Sequence, residues 1–260
     1  MRVLLVKMSS LGDVVHTLPA LTDAVANVPG IRFDWLVEEA FAEIPAWHPA
    51  VDRVIPIALR RWRKHPFRDF TGPEWRDCRN QLRRNHYDAV IDAQGLLKSA
   101  LVARLVKATI YGLDKQSVRE RLASAAYNHK ITVPRNMHAV ERTRTLFARA
   151  LNYQLPNSKG DYGVRENLVR GRSARSSGLL FFHGTARAEK LWPEEHWIEL
   201  ARLAGAAGYP AWLPWGSEEE KARAERIAEG CETASVLPKL DLIGICLLYT
   251  SDAADERVRV

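Results

Sequence analysis

Asp13 is the carboxylate whose sequence surroundings most invite chemistry. An apolar run, Val3 to Val6, ends at Lys7, and small or polar residues follow at Ser9, Ser10 and Gly12. Asp13 then opens the helix-like stretch Val14-Val15-His16-Thr17-Leu18-Pro19-Ala20-Leu21. This order predicts a buried strand, a tight turn and a helix N-terminus. Ligands of open α/β sheets bind at that junction, where unpaired N–H groups and the helix dipole favour anions. Asp13 therefore has two readings: a base beside an anion held by the loop amides, or a helix cap shared with Ser10. Spacing alone favours the cap. The loop lacks G-x-G-x-x-G and G-x-x-x-x-G-K-[ST], so neither a dinucleotide site of the usual kind nor a P-loop is supported.

Two further loops carry polar groups after predicted strands. In His183-Gly-Thr185-Ala-Arg-Ala-Glu-Lys190-Leu-Trp192-Pro193, the Thr185 hydroxyl and the Lys190 ammonium suit a diphosphate. The plain alternative is a polar surface loop. In Leu213-Pro-Trp215-Gly216-Ser-Glu-Glu-Glu220, a glycine turn leads into acids that complement a helix dipole, and one of them suits a ribose or sugar diol. The densest basic run is Arg60-Arg61-Trp62-Arg63-Lys64-His65. It reads as a solvated face or, with its interleaved tryptophan, as a contact for phosphates or lipid headgroups. Arg119 and His138 are additional basic candidates. No metal-ligand spacing and no Ser/His/Asp ordering is present.

The elements that must position these groups alternate between strand-like and helix-like, which predicts βαβ units and a parallel sheet. Strands are expected at Val3–Val6, Phe33–Val37, Arg53–Ile57, Ala89–Ile91 and Thr109–Tyr111. Helices are expected at Asp13–Val28, Pro73–Arg84, Leu96–Lys107 and His138–Leu151. Asn152 to Ser177 is polar and glycine-rich, as a connection between domains would be. A second alternating block follows. It has strands at Leu179–Phe182, Pro210–Leu213 and Ala234–Leu237, and helices at Pro193–Ala207 and Glu218–Glu229, with Pro193 as the first helical residue. The expected division is 1–160, 175–241 and a tail, 242–260. That tail does not continue the alternation and reads as translated adapter or vector sequence, so a departure from a native frame near Asp241 is expected.

The 260 residues are 47% hydrophobic and 27% charged, in the range of soluble globular proteins. No apolar segment approaches the roughly 18 residues of a membrane span. The N-terminal run breaks too early for a signal peptide, and three scattered cysteines suit a reducing compartment, so a cytoplasmic protein is expected. The net charge of +7 calls for an anionic partner. Without a helix-turn-helix, zinc-finger or RNP pattern, nucleic acid is not expected.

The long runs Met1 to Asp23, Tyr87-Asp-Ala-Val-Ile-Asp-Ala-Gln-Gly95, His138-Ala-Val-Glu-Arg-Thr143, Lys190-Leu-Trp-Pro-Glu-Glu-His-Trp197 and Leu213-Pro-Trp-Gly216 resemble the lipopolysaccharide heptosyltransferases of glycosyltransferase family 9. The resemblance spans residues 1 to about 241. It implies two Rossmann-like domains facing across a cleft, the GT-B arrangement, with the second one incomplete here. It implies an inverting, metal-independent transfer of heptose from ADP-heptose, without a cofactor. The acceptor would be the inner Kdo of a lipid A precursor, met at the cytoplasmic face of the inner membrane. By the same resemblance Asp13 is the base, and Ser9, Ser10, Gly12, Arg60, Arg61, Arg63, Lys64, Arg119 and His138 lie on the acceptor side. Thr185, Lys190 and Glu220 match donor-binding positions. The family's later Asp-Thr-Gly and His are absent, and Ala186 stands where a threonine is common, so this chain is expected to be inactive or nearly so. Alternatives are an enzyme that extends the heptose chain, or a non-catalytic anion-binding protein at a membrane surface.

Overall fold

The computed structural model describes residues 1–69, 71–164, 178–185, 188–241 and 244. The chain forms two compact units, Met1–Glu166 and Asn167–Val260. The first is built on six strands: β1 (Arg2–Val6), β2 (Arg32–Glu38), β3 (Val51–Ile57), β4 (Ala89–Asp92), β5 (Thr109–Leu113) and β6 (His129–Ile131). All pairs are parallel and the order is β3-β2-β1-β4-β5-β6. Both faces of such a sheet are covered, so its central strands are continuously apolar; Val3 to Val6 are fully buried. The strand order reverses between β1 and β4. That reversal opens a crevice beyond their carboxyl ends, where Lys7 and Ala93 begin the loops.

The single helix expected over Asp13–Val28 is two, α1 (Leu11–Val15) and α2 (Leu18–Asn27). Pro19 has no N–H to donate into a continuing helix, so the chain restarts with Pro19 in the first turn of α2. The Thr17 hydroxyl donates to Asp13 O at 2.8 Å across the break. The other helices of this unit are α3 (Leu59–Trp62), α4 (Pro66–Asp69), α5 (Pro73–Arg84), α6 (Leu97–Ala103) and α7 (Ala139–Ala150). Strand β6 went unanticipated because it is a three-residue edge strand with two exposed positions, which leaves no apolar run to read.

The polar segment after α7 does not begin as a free linker. Arg144, 1% exposed, donates from Nε to Asp23 Oδ2 at 2.6 Å and also holds the carbonyls of Pro156 at 3.2 Å and Ser158 at 2.9 Å. A side chain on Gly160 would meet Pro19 Cβ at 2.8 Å, so this stretch lies directly on the first unit. The rest of the expected connection, 165–177, lies outside the described residues.

The second unit has a parallel sheet of order β7-β8-β9, from β7 (Leu179–Leu180), β8 (Ala211–Leu213) and β9 (Ala234–Val236). Helices α8 (Glu194–Ala206) and α9 (Glu218–Glu229) pack on it around Phe181, Ala201, Leu213, Ala224 and Ile227. Pro193 is extended, with ψ of 145°, and precedes α8 rather than starting it. Glu194 ties the two helices through Arg223 at 3.3 Å and Arg226 at 2.7 Å. The expected tail, 242–260, lies outside the described residues apart from Gly244.

Candidate functional site

The crevice beyond β1 and β4 contains a cavity of about 200 Å³ lined by Lys7, Asp13, His16, Gln94, Arg119 and Arg142 among others. Its floor is set by hydrogen bonding between the two strand-end loops. Gln94 Oε1 accepts the amides of Met8 at 2.9 Å and Ser9 at 3.0 Å. Asp92, fully buried, holds the second loop: Oδ1 accepts the amides of Gln94 and Gly95, and Oδ2 accepts the hydroxyls of Ser99 and Tyr127. Burial pushes the Asp92 carboxyl up, and these four donors partly offset that. Gly95 turns the loop with φ of +67°, a conformation that a side chain would strain.

Asp13 fulfils the capping reading of its sequence context. It is the third residue of α1, and its Oδ2 accepts the Ser10 amide and hydroxyl, each at 3.0 Å. Its Oδ1 faces Lys7 Nζ at 3.9 Å, and the side chain is 42% exposed. Partial burial raises the Asp13 carboxyl, but Lys7, the two Ser10 hydrogen bonds and His16 outweigh it, and the group sits below the usual carboxylate range. Lys7 is buried and donates to Ala93 O at 3.1 Å. Burial lowers its ammonium, while Asp13 and Asp92 act against that. Arg142 donates to Ser117 O at 2.9 Å, leaving its Nε buried without a partner. Burial and neighbouring Arg135 lower it.

Among the residues singled out in the sequence, Asp13 and Arg119 line this cavity. Ser9 and Ser10 belong to the loop that leads into α1 and Gly12 is the second residue of that helix; none of the three lines the cavity. His138 caps α7 and stands beside it, its ring 5.8 Å from that of His16. Arg60, Arg61, Arg63 and Lys64 are exposed at the carboxyl end of β3 and do not line the cavity. Arg61 is already engaged, at 3.0 Å from Glu39 and 2.8 Å from Glu74. The reading of Trp62 as a headgroup contact is corrected. Trp62 is only 3% exposed, donates to Glu74 Oε2 at 3.0 Å and packs edge-on against Trp75. Sequence reasoning missed Lys7, His16, Gln94 and Arg142. Lys7 and Gln94 had a signal, since each closely follows a predicted strand at the reversal; Arg142 lies one helical turn after His138.

In the second unit, the loop after β7 meets the start of α9. A Cβ on Gly184 would lie 2.5 Å from Glu220 Oε1, so glycine lets that carboxylate press against the His183–Thr185 backbone. Glu220 Oε2 accepts the amides of Gly216 at 2.8 Å and Ser217 at 3.3 Å. Thr185 and Glu220 are thereby brought to one place. Lys190 is exposed on the turn Ala188–Lys190. His183 is buried with its Nε2 3.1 Å from Pro214 O, and burial lowers its pKa. Among the described residues no group of three His, Cys, Asp or Glu is arranged to hold a metal ion, and no helix is long and apolar enough to cross a membrane.

These features define a doubly wound α/β protein with an anion-attracting cavity and one carboxylate poised at it. The model of glycosyltransferase family 9 (heptosyltransferase) matches residues 75–250. Lipopolysaccharide heptosyltransferase 1 of Pseudomonas aeruginosa is 55% identical over 246 residues, 94% of this chain and 69% of that protein. The structure of E. coli heptosyltransferase WaaC with ADP matches with a TM-score of 0.91 and 50% identity, over 96% of this chain and 79% of that one. WaaC with ADP-2-deoxy-2-fluoro heptose matches at 0.90 and 49%, over 96% and 80%. The chain belongs to glycosyltransferase family 9, the heptosyltransferases.

Proposed function

We propose that this chain carries a site built for the transfer of heptose from ADP-heptose to the inner Kdo of a lipid A precursor, with inversion, in lipopolysaccharide core biosynthesis. The observation that carries the reading is the second oxygen of Asp13. Oδ2 is spent on Ser10, while Oδ1 faces Lys7 Nζ at 3.9 Å on a residue that lines a cavity with several cations. In the reaction an acceptor hydroxyl oxygen bonds to the anomeric carbon as the bond from that carbon to the diphosphate oxygen breaks. ADP leaves with the electron pair, and the hydroxyl proton passes to Asp13 Oδ1. A carboxylate held below its usual range is a weak base. Proton transfer therefore lags behind cleavage of the sugar–diphosphate bond, as an oxocarbenium-like transition state permits.

Lys7, Arg119 and Arg142 supply positive charge for the Kdo carboxylate and lipid A phosphates, with His138 and the exposed Arg60, Arg63 and Lys64 further out. Thr185 and Lys190 hold the donor diphosphate, Lys190 countering charge that grows as ADP leaves. Glu220 accepts from donor hydroxyls. A lipid-borne acceptor assigns the work to the cytoplasmic face of the inner membrane. The test is heptose transfer from ADP-heptose to Kdo-lipid A by the chain and by Asp13→Asn. Transfer is expected to be weak and to depend on Asp13; transfer that survives the substitution overturns the assignment of the base.

A further inference from the structure

Leu97, Leu101 and Leu122 are 42%, 61% and 72% exposed, and Leu122 is the most exposed large apolar side chain among the described residues. Single exposed leucines are ordinary, but two of these share one helix face and the third stands on the element packed against that helix. Leu97 and Leu101 are one turn apart on α6, whose opposite face buries Ser99, Ala100, Val102 and Ala103. Leu122 projects from the turn Arg121–Ala126, which packs along α6, and the Leu97 amide donates to Glu120 Oε2 at 2.7 Å. The charge of this stretch of sequence is one-sided. From Leu97 to Leu122 the sequence holds six cations (Lys98, Arg104, Lys107, Lys115, Arg119 and Arg121) against two acids, Asp114 and Glu120. Both acids are occupied locally: Asp114 accepts the amides of Gln116 and Ser117 and the Thr132 hydroxyl, and Glu120 accepts the Leu97 amide.

The stretch is also close to the cavity in sequence. Leu97 follows cavity-lining Gln94 by three residues, and Leu122 follows cavity-lining Arg119 by three. We propose that Leu97, Leu101 and Leu122, with Arg104 and Arg121 around them, form the face by which this chain docks on an anionic lipid bilayer. The leucines enter the headgroup–acyl boundary and the cations meet lipid phosphates. The proposal rests on the reading above in one respect: a lipid-borne sugar that reaches the cavity leaves its acyl chains in the bilayer, so the membrane must lie beside the cavity mouth.

The test is sedimentation of the full chain with vesicles of zwitterionic phospholipid containing a quarter anionic phospholipid, with no acceptor present. Binding is expected, falling about tenfold or more in Leu101→Glu/Leu122→Glu and in Arg104→Glu/Arg121→Glu. It should also weaken in high salt. Leu122→Trp should keep it. All three variants alter exposed positions, so circular dichroism and melting should match the parent chain. Binding of a soluble, deacylated Kdo sugar should be unchanged in the leucine variant. Vesicle binding that survives both double substitutions overturns the proposal. So does a leucine variant that only converts a dimer to a monomer in sedimentation analysis. Leucine-dependent vesicle binding without any binding of the soluble sugar leaves the docking face standing and removes the acceptor reading.

Discussion

Asp13→Asn and Asp13→Ala separate the cap that this carboxylate forms from the base proposed for it. Oδ2 accepts two hydrogen bonds from Ser10, each at 3.0 Å, and Oδ1 faces Lys7 Nζ at 3.9 Å. Asparagine keeps an oxygen for Ser10 and loses the charge. A charge in the first turn of a helix is worth about 0.3–1 kcal/mol, and the Lys7 contact adds little because solvent screens a side chain that is 42% exposed. Alanine removes the capping oxygen as well, for about 1–2 kcal/mol in all. At about 2–4 °C per kcal/mol for a chain of this size, Asn should lower Tm by about 1–4 °C and Ala by about 2–8 °C. Turnover should fall about 10²–10⁴-fold in both, since neither side chain accepts a proton. Calorimetry with the transfer assay reads both effects. Equal melting of the two variants would refute the cap, and an Asn variant with more than about a tenth of parental turnover would refute the base. The pH dependence has a definite sign. The folded carboxyl lies below its ordinary value, so its stabilisation is complete above about 3.9 and is lost as pH falls through the lower folded value. The stability gap between parent and Asn variant should therefore close in acid.

Arg144→Met should cost about 3–5 kcal/mol, because it strands Asp23 as a buried, unpaired carboxylate; urea denaturation measures this, and a loss under about 1 kcal/mol would contradict it. Gln94→Leu removes the acceptor of two loop amides and should cost about 2 kcal/mol, with faster hydrogen exchange at Met8 and Ser9 and a fall in kcat. Arg63→Ala should raise the KM for acceptor more than Arg61→Ala, since Arg61 is tied to Glu39 and Glu74; equal effects would show that those ion pairs open on binding. Gly112→Ala should destabilise the first unit by about 1–3 kcal/mol, since a Cβ there would overlap the Tyr127 ring and disturb the Asp92 loop; an unchanged melting temperature would refute that packing.

Much of the framework was legible because apolar runs and helical periods reflect burial. Val3–Val6, the α5 and α7 helices and the strand–turn–helix around Asp13 follow directly from it. What escaped was set by tertiary contacts. Trp62 looked like a membrane anchor among cations, yet its indole faces Trp75 and Glu74, which no local spacing reveals. The segment after α7 looked like a linker because its residues are polar. It is held to the first unit by a buried arginine drawn from a helix with a mixed face. Gln94 and Arg142 escaped because an amide and an arginine announce no chemistry until strand order brings β4 beside β1. The sequence alternation predicts a parallel sheet but does not fix that order.

Capping and catalysis are usually weighed as rivals for an acid near a helix start, and in the proposal made here one serves the other. A free carboxylate on a loop samples several rotamers, and freezing it during reaction would cost rate. Ser10 fixes the Asp13 carboxylate before any substrate arrives, and Gln94 fixes the backbone beneath Ser10. The same local device recurs in the second unit. Ser217 and Glu220 stand three residues apart, as Ser10 and Asp13 do; Glu220 Oε2 accepts loop amides and Oε1 turns towards the loop of Thr185. In each unit one oxygen of the acid is committed to structure so that the other has a defined direction. The cap reading of Asp13 therefore does not exclude the proposed base: a side chain with two oxygens satisfies the helix with one and has the other left for a proton.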